Sequence, residues 1–146
     1  MVADSFLSEN KLVAIVDDEE DIIELFKDAL ASIKGITIFT FTDPVMALEH
    51  FVMNKERYAL VISDLRMPAL AGTDLIKKLK NRNPSVRTIL MTAFAVDDDM
   101  FQGYAKKELI NGFLQKPIRI SDLRAEVNYQ LHAYELKKPE FYINTT

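Results

Sequence analysis

The side chains with the most chemical reach in this sequence are an adjacent acidic pair, Asp17 and Asp18, a third acid, Asp64, the hydroxyl of Thr92 and the ammonium of Lys116. Each has an ordinary explanation on its own. Asp17 to Asp21 is an acidic run of the kind that complements a helix N-terminus. Asp64 fits a turn or cap, Thr92 a strand-end hydroxyl bonded to backbone, and Lys116 a solvated charge. Brought into one cleft, they describe something more specific. Crowded acids in a poorly solvated site repel one another and take up protons unless a cation intervenes. Mg²⁺ resolves that conflict, because it takes oxygen ligands, keeps several waters and needs only one or two carboxylates plus a phosphate. The expected direct ligands are Asp18 and Asp64, with Asp17 acting largely through a bound water and the backbone carbonyl of Arg66 completing the protein's share. A carboxylate can also attack phosphorus, and phosphoryl transfer asks the protein mainly for positioning and for charge on the equatorial oxygens. Asp64 is the expected nucleophile, with Mg²⁺, Lys116 and the Thr92 hydroxyl or a backbone N–H each covering a phosphoryl oxygen.

For these residues to meet, the chain must bring them to one edge, and its hydrophobic pattern does so. Leu12 to Val16 is a continuous apolar run suited to a strand buried on both faces. Asp21 to Ile33 carries apolar residues at helical spacing, with Gly35 at the expected stop. Ile36 to Phe41 is β-branched and aromatic, hence a strand. Asp43-Pro44 reads as a cap and first helical residue of a helix running through Phe51 and Val52. Tyr58 to Ser63, Val86 to Met91 and Gly112 to Gln115 read as further strands; Thr73 to Lys80 and Asp97 to Leu109 read as helices. Ser121 is the expected cap of a last helix with Leu123, Val127, Leu131 and Tyr134 along one stripe. Such strand–helix alternation calls for parallel strands and right-handed crossovers, an α/β doubly wound five-stranded sheet with helices on both faces. Ligands in that layout sit beyond the carboxyl ends of the strands. Asp17 and Asp18, Asp64, Thr92 and Lys116 each follow or end a strand there.

Composition narrows the classes. The 146 residues suit one domain, and 49% apolar content is enough for a core without staples. The sequence has no cysteine, which removes disulfide and thiolate-metal chemistry. A net charge of −4 argues against a nucleic-acid partner. The lysine and arginine group at Lys77, Lys78, Lys80 and Arg82 reads as a solvated face. The first residues lack the basic and apolar regions of a signal peptide, and no apolar run approaches the roughly 20 residues of a membrane span. The expectation is a cytoplasmic protein with no membrane association.

At this point the motifs resemble a known family. VDDEED, SDLRMP, MTA and LQKPI, in that order and spacing, look like the receiver domain of two-component response regulators. The resemblance implies a flavodoxin-like strand order of 2-1-3-4-5 and a layout of N-terminal arm 1–10, receiver domain 11–138 and C-terminal tail 139–146. It also implies residue roles: Asp64 as phospho-acceptor, Asp17 and Asp18 as the metal pair, the Arg66 carbonyl as metal ligand, and Lys116 as contact to the phosphoryl group. Thr92 and Phe113 would be the switch pair, and the bond before Pro117 would be cis. The implied donor is a sensor histidine kinase or a histidine phosphotransfer protein. The domain would catalyse only its own phosphorylation and dephosphorylation, and output would pass to a downstream protein target from a monomer or weak dimer. The implied switching face combines the 97–109 helix, the 112–115 strand and the last helix. Two departures stand out: Ala71 where an acid is frequent, and bulky Phe94 two residues beyond Thr92. The rival readings are a Mg²⁺-dependent phosphohydrolase, disfavoured because its nucleophile belongs after the first strand in a D-x-D pattern, and a non-phosphorylated module of the same fold.

Overall fold

The computed structural model describes residues 10–93, 102–104, 106–107 and 109–137. Its strands are β1 (Lys11–Val16), β2 (Ile36–Phe41), β3 (Tyr58–Asp64), β4 (Arg87–Thr92) and β5 (Gly112–Gln115). The helices, in chain order, are α1 (Glu20–Leu30), α2 (Pro44–Met53), α3 (Gly72–Arg82) and α4 (Ile120–Leu136). All four strand pairings are parallel, and the sheet order is β2-β1-β3-β4-β5.

Apolar runs become buried strands because helices cover both faces of the sheet. Side chains alternate across the pleat. Val13 and Ile15, Leu60 and Ile62, Ile89 and Met91 face α1 and α4, where Ile23, Phe26, Leu30, Leu123 and Val127 meet them. Leu12, Ala14, Val16 and Val61 face the other way, onto Ala47 and Phe51 of α2 and Leu75 and Leu79 of α3. β3 is buried along its whole length. That strand carries Asp64 at its end, so the acceptor candidate grows out of the most enclosed element.

Local signals explain some ends and not others. Asp43 caps α2, its side chain accepting from the Val45 N–H at 2.9 Å, with Pro44 at the first turn. Ser121 does not cap α4: the helix starts at Ile120, two residues earlier than a Ser121 cap requires, Arg119 occupies the cap position, and no side chain closes it. Apolar Ile120 is drawn into the first turn because it packs on the core beside Ile118. α1 ends at Leu30, short of Ile33. Gly35 therefore serves the turn into β2, with φ of 84°, and its carbonyl accepts from the Lys11 N–H. β4 runs one residue later than the pattern suggested, which places Thr92 inside the strand. Lys80 is not a solvated charge like its neighbours. It is half-buried and donates to the Val86 carbonyl and to Asn111 Oδ1. The expected 97–109 helix lies largely outside the described residues, although residues 102–104 and 106 are helical. Phe94, residues 1–9 of the arm and the 139–146 tail also lie outside them. Among the described residues no helix is long and apolar enough to cross a membrane.

Candidate functional site

Register assembles the site. Val16 of β1 pairs with Ser63 of β3, so the next residues, Asp17 and Asp64, emerge side by side. Asp64 pairs with Met91 of β4, which sets Thr92 one step further along the neighbouring strand. Thr92 pairs with Gln115 of β5, and Lys116 follows. Four side chains from four parallel strands thus reach one rim without a dedicated scaffold. The peptide bond between Lys116 and Pro117 is cis.

Side-chain oxygens of Asp17, Asp18 and Asp64 all lie within 4.8 Å of one another, a grouping that suits a hard divalent cation. Asp17 is fully buried, and both of its oxygens are engaged. Oδ1 accepts from the Glu19 N–H at 3.0 Å, and Oδ2 accepts from Lys116 Nζ at 2.9 Å. Asp64 Oδ1 lies 3.3 Å from the same ammonium, and Glu19 Oε1 lies 4.0 Å from it. Asp18 is exposed and points its carboxylate into the cluster from the solvent side. Thr92 is buried, and Phe113 is half-buried on β5 against Ile76, Leu90 and Ile110.

The electrostatics match this geometry. Burial, followed by the charge of Asp17, pushes the Asp64 carboxyl above the ordinary aspartate range, against the pull of Lys116 and the Leu65 N–H. Burial would lower the Lys116 ammonium, but the hydrogen bond and charge of Asp17, reinforced by Asp64, raise it. A cavity of about 270 Å³ opens beside these groups, lined by Asp18, Glu19, Asp64, Leu65, Arg66, Thr92, Ala93 and Lys116. Oxygen donors converge there next to a carboxylate whose charge is poorly accommodated, and that combination fits a magnesium ion and a phosphoryl-sized group.

Asp17, Asp18, Asp64, Arg66, Thr92 and Lys116 are all brought to this rim, whereas Phe113 sits one shell away, behind it. Ala71, which departs from the acid common at that position, is the extended N-cap of α3 and closes the helix through its backbone carbonyl alone. Residue-by-residue reading of the sequence missed several participants. Glu19 looked like one more helix-terminal acid, yet its N–H fixes Asp17 and its carboxylate approaches Lys116. Ser63, whose hydroxyl donates to the Asp64 carbonyl at 3.0 Å, was read only as a strand residue. The Leu65 backbone N–H carries no side-chain signal at all.

Comparison with known proteins agrees with this geometry. The sequence profile of the response regulator receiver domain matches residues 13–128. The DNA-binding transcriptional regulator NtrC of Escherichia coli (strain K12) is 31% identical over 124 residues, covering 85% of this chain but only 25% of NtrC. The chain thus spans about a quarter of that relative. Sporulation initiation phosphotransferase F of Bacillus subtilis (strain 168) is 30% identical over 122 residues, covering 84% of this chain and 94% of the relative. The crystal structure of a response regulator receiver domain protein from Clostridium thermocellum superposes with a TM-score of 0.76 at 27% identity, covering 88% of this chain and 99% of the other. With the profile running through both faces of the core and every strand end at the acidic rim, this chain belongs to the receiver domain family of two-component response regulators.

Proposed function

We propose that the chain accepts a phosphoryl group on Asp64 in a Mg²⁺-dependent reaction and signals through the change this imposes on its surface. One observation carries the reading: three carboxylates within 4.8 Å of one another, with Lys116 Nζ between the Asp17 and Asp64 oxygens. Asp18, Asp64 and the Arg66 carbonyl would hold the metal, and Asp17, whose oxygens are already engaged by the Glu19 N–H and Lys116, would act on it through water. When bound, the ion neutralises charge on the acids and on the phosphoryl oxygens.

In the reaction an Asp64 carboxylate oxygen forms a bond to phosphorus while the bond from phosphorus to the donor imidazole nitrogen breaks. The leaving imidazole keeps the electron pair and is protonated from solvent. Lys116 is already at hydrogen-bonding distance from Asp64 and has protons to give a phosphoryl oxygen. The buried Thr92 hydroxyl, on the adjacent strand, moves toward the new group, and Phe113 rotates into the space it leaves. The product carries a charge of about −1.5 to −2 at the rim, which biases a two-state equilibrium of the face made by the 97–109 segment, β5 and α4. The donor is a phosphohistidine of a sensor kinase or a histidine phosphotransfer protein in the cytoplasm, and the output is contact with a downstream protein. Turnover is confined to the domain's own phosphorylation and hydrolysis.

Incubation with acetyl phosphate and Mg²⁺, followed by intact mass measurement, tests the assignment. A gain of one phosphoryl group that disappears with EDTA and in Asp64→Ala is expected. An unchanged mass for the wild-type chain would leave a receiver fold used only as an unphosphorylated binding module.

A further inference from the structure

The loop between β3 and α3 does more than connect them. The Leu65 N–H donates to the Met91 carbonyl at 2.8 Å, continuing the sheet for one residue beyond Asp64. The Gly72 N–H then donates back to the Leu65 carbonyl at 2.8 Å, so the first turn of α3 is pinned against the end of β3. Between these anchors the Leu70 N–H donates to the Pro68 carbonyl at 2.8 Å, closing a γ-turn around Ala69, which sits at φ 73°. A γ-turn of that sign is strained for an L-residue, and the anchors on either side hold it in place.

The anchor at Gly72 has no room to spare. A Cβ built there would fall inside contact range of the Asp64 carbonyl oxygen, with the Asp64 carbonyl carbon and Leu65 Cα at 3.0 and 3.1 Å. All three are backbone atoms, so no side chain can swing aside. The same Asp64 oxygen accepts from the buried Ser63 hydroxyl at 3.0 Å, which holds the peptide from the strand side. The Asp64 peptide is thus gripped between Ser63 Oγ and Gly72 Cα.

We propose that Gly72 is a positioning residue for the acceptor, its missing Cβ letting α3 close onto the Asp64 peptide and thereby set both the Asp64 carboxylate and the carbonyl of Arg66 at the acid cluster. The proposal rests on the phospho-acceptor reading above and deepens it. Gly72 touches neither metal nor phosphoryl group. It acts through the backbone of the residue that does.

Gly72→Ala is the perturbation, and Gly112→Ala the control. At Gly112 the added Cβ meets the Glu126 and Gln130 side-chain ends, and the position contributes no group to the rim. Misplacement by about 1 Å can cost on the order of 100-fold in rate. Gly72→Ala should therefore lose on the order of 10- to 100-fold in acetyl-phosphate acceptance at saturating Mg²⁺. Its Mg²⁺ dissociation constant, followed by amide NMR shifts, should rise about tenfold at temperatures where the variant is folded. Gly112→Ala should lose thermal stability and keep both values. Folded Gly72→Ala with wild-type Mg²⁺ affinity and acceptance would overturn the proposal. Should Gly72→Ala not fold, the wild-type chain decides: the Gly72 amide must shift with those of Asp64 and Leu65 on Mg²⁺ addition, and a silent Gly72 amide refutes the coupling. Failure of the phospho-acceptor reading would look different, since the wild-type chain itself would then take up no phosphoryl group.

Discussion

Lys116 bridges a fully buried carboxylate and a nearly buried one, which makes its removal a sharp test of the site's electrostatics. The ammonium lies 2.9 Å from Asp17 Oδ2 and 3.3 Å from Asp64 Oδ1. With an effective dielectric of about 20, each attraction is roughly 5–6 kcal/mol before desolvation is subtracted. Breaking a buried pair from one side typically costs about 3–5 kcal/mol, because the partner charge is left without compensation. Here the Lys116 side chain is 19% exposed and that of Asp64 12%, so solvent recovers part of the loss. The expected cost of Lys116→Met in metal-free protein is therefore near the lower bound, about 3 kcal/mol. For a chain of this length that is a fall of about 10 °C in the thermal midpoint.

The assay is chemical denaturation in EDTA, repeated with Mg²⁺ and in an Asp64→Asn background. With one carboxylate neutralised, losing Lys116 should cost at least about 1 kcal/mol less than in the wild-type background. Mg²⁺ should stabilise Lys116→Met more than wild type, because metal and ammonium neutralise the same acids. A tenfold tighter site adds about 1.4 kcal/mol at saturation. A metal-free cost below about 1 kcal/mol, or equal gains from Mg²⁺ in both proteins, would show that Lys116 is not the counter-ion this geometry makes it.

Asp64 titrates above its unfolded value, so the folded metal-free state binds that proton more tightly. Its contribution to stability is therefore fullest below the ordinary aspartate value of 3.8 and is lost as pH rises through the folded value. Asp64→Asn should flatten that part of the EDTA stability profile and be more stable than wild type at pH 7; a less stable Asp64→Asn would contradict the sign. His50 has the opposite sense: burial first, then Arg57, lowers its pKa below 6.5, so stability should fall as pH drops from 6.5 through the folded value. His50→Phe should remove that slope, and an unchanged slope would assign it elsewhere. Tyr58→Phe deletes the buried hydroxyl 2.8 Å from His50 Nδ1 and should cost about 1 kcal/mol in urea unfolding, with no loss counting against the bond. Ala69→Gly releases a positive φ of 73° and should raise stability by about 0.5–1 kcal/mol, a destabilised variant meaning that the turn is not strained.

Much of this was legible from sequence because the relevant signals are local or periodic. Leu12 to Val16 and Tyr58 to Ser63 are unbroken apolar runs, and a strand buried on both faces is what such runs become. Asp43-Pro44 marks its helix start with two independent signals, and both are in place. Ser121 carried a single signal, and the pull of Ile120 into the core outweighed it. Lys80 was misread because its partners, Val86 and Asn111, come from β4's entry and β5's approach, contacts with no sequence signature. At the rim, residue types announced Asp17, Asp18, Asp64, Thr92 and Lys116. The contributions of the Leu65 N–H, the Ser63 hydroxyl and the closeness of Gly72 to the Asp64 peptide depend on backbone paths, which residue type does not encode.

The same distinction explains why so costly a grouping of acids can persist. Asp17, Asp64, Thr92 and Lys116 are held at the rim chiefly by strand register, and register is enforced far from the rim by the core. A one-residue slip of β3 against β1 would turn Leu60 and Ile62 away from the α1–α4 face and Val61 away from α2 and α3. Each of those side chains would then be forced into the opposite apolar layer, which is already filled, and overpacking of that kind costs typically about 1–3 kcal/mol per site, so a slip loses at least as much as separating two carboxylates could recover. The unfavourable neighbours Asp17 and Asp64 are therefore kept together by the apolar layers on both faces of the sheet. Relief must come from what enters the rim, since the sheet cannot move to provide it. Lys116 supplies part of that relief from within the chain, yet burial and then the charge of Asp17 still hold the Asp64 carboxyl above its ordinary range.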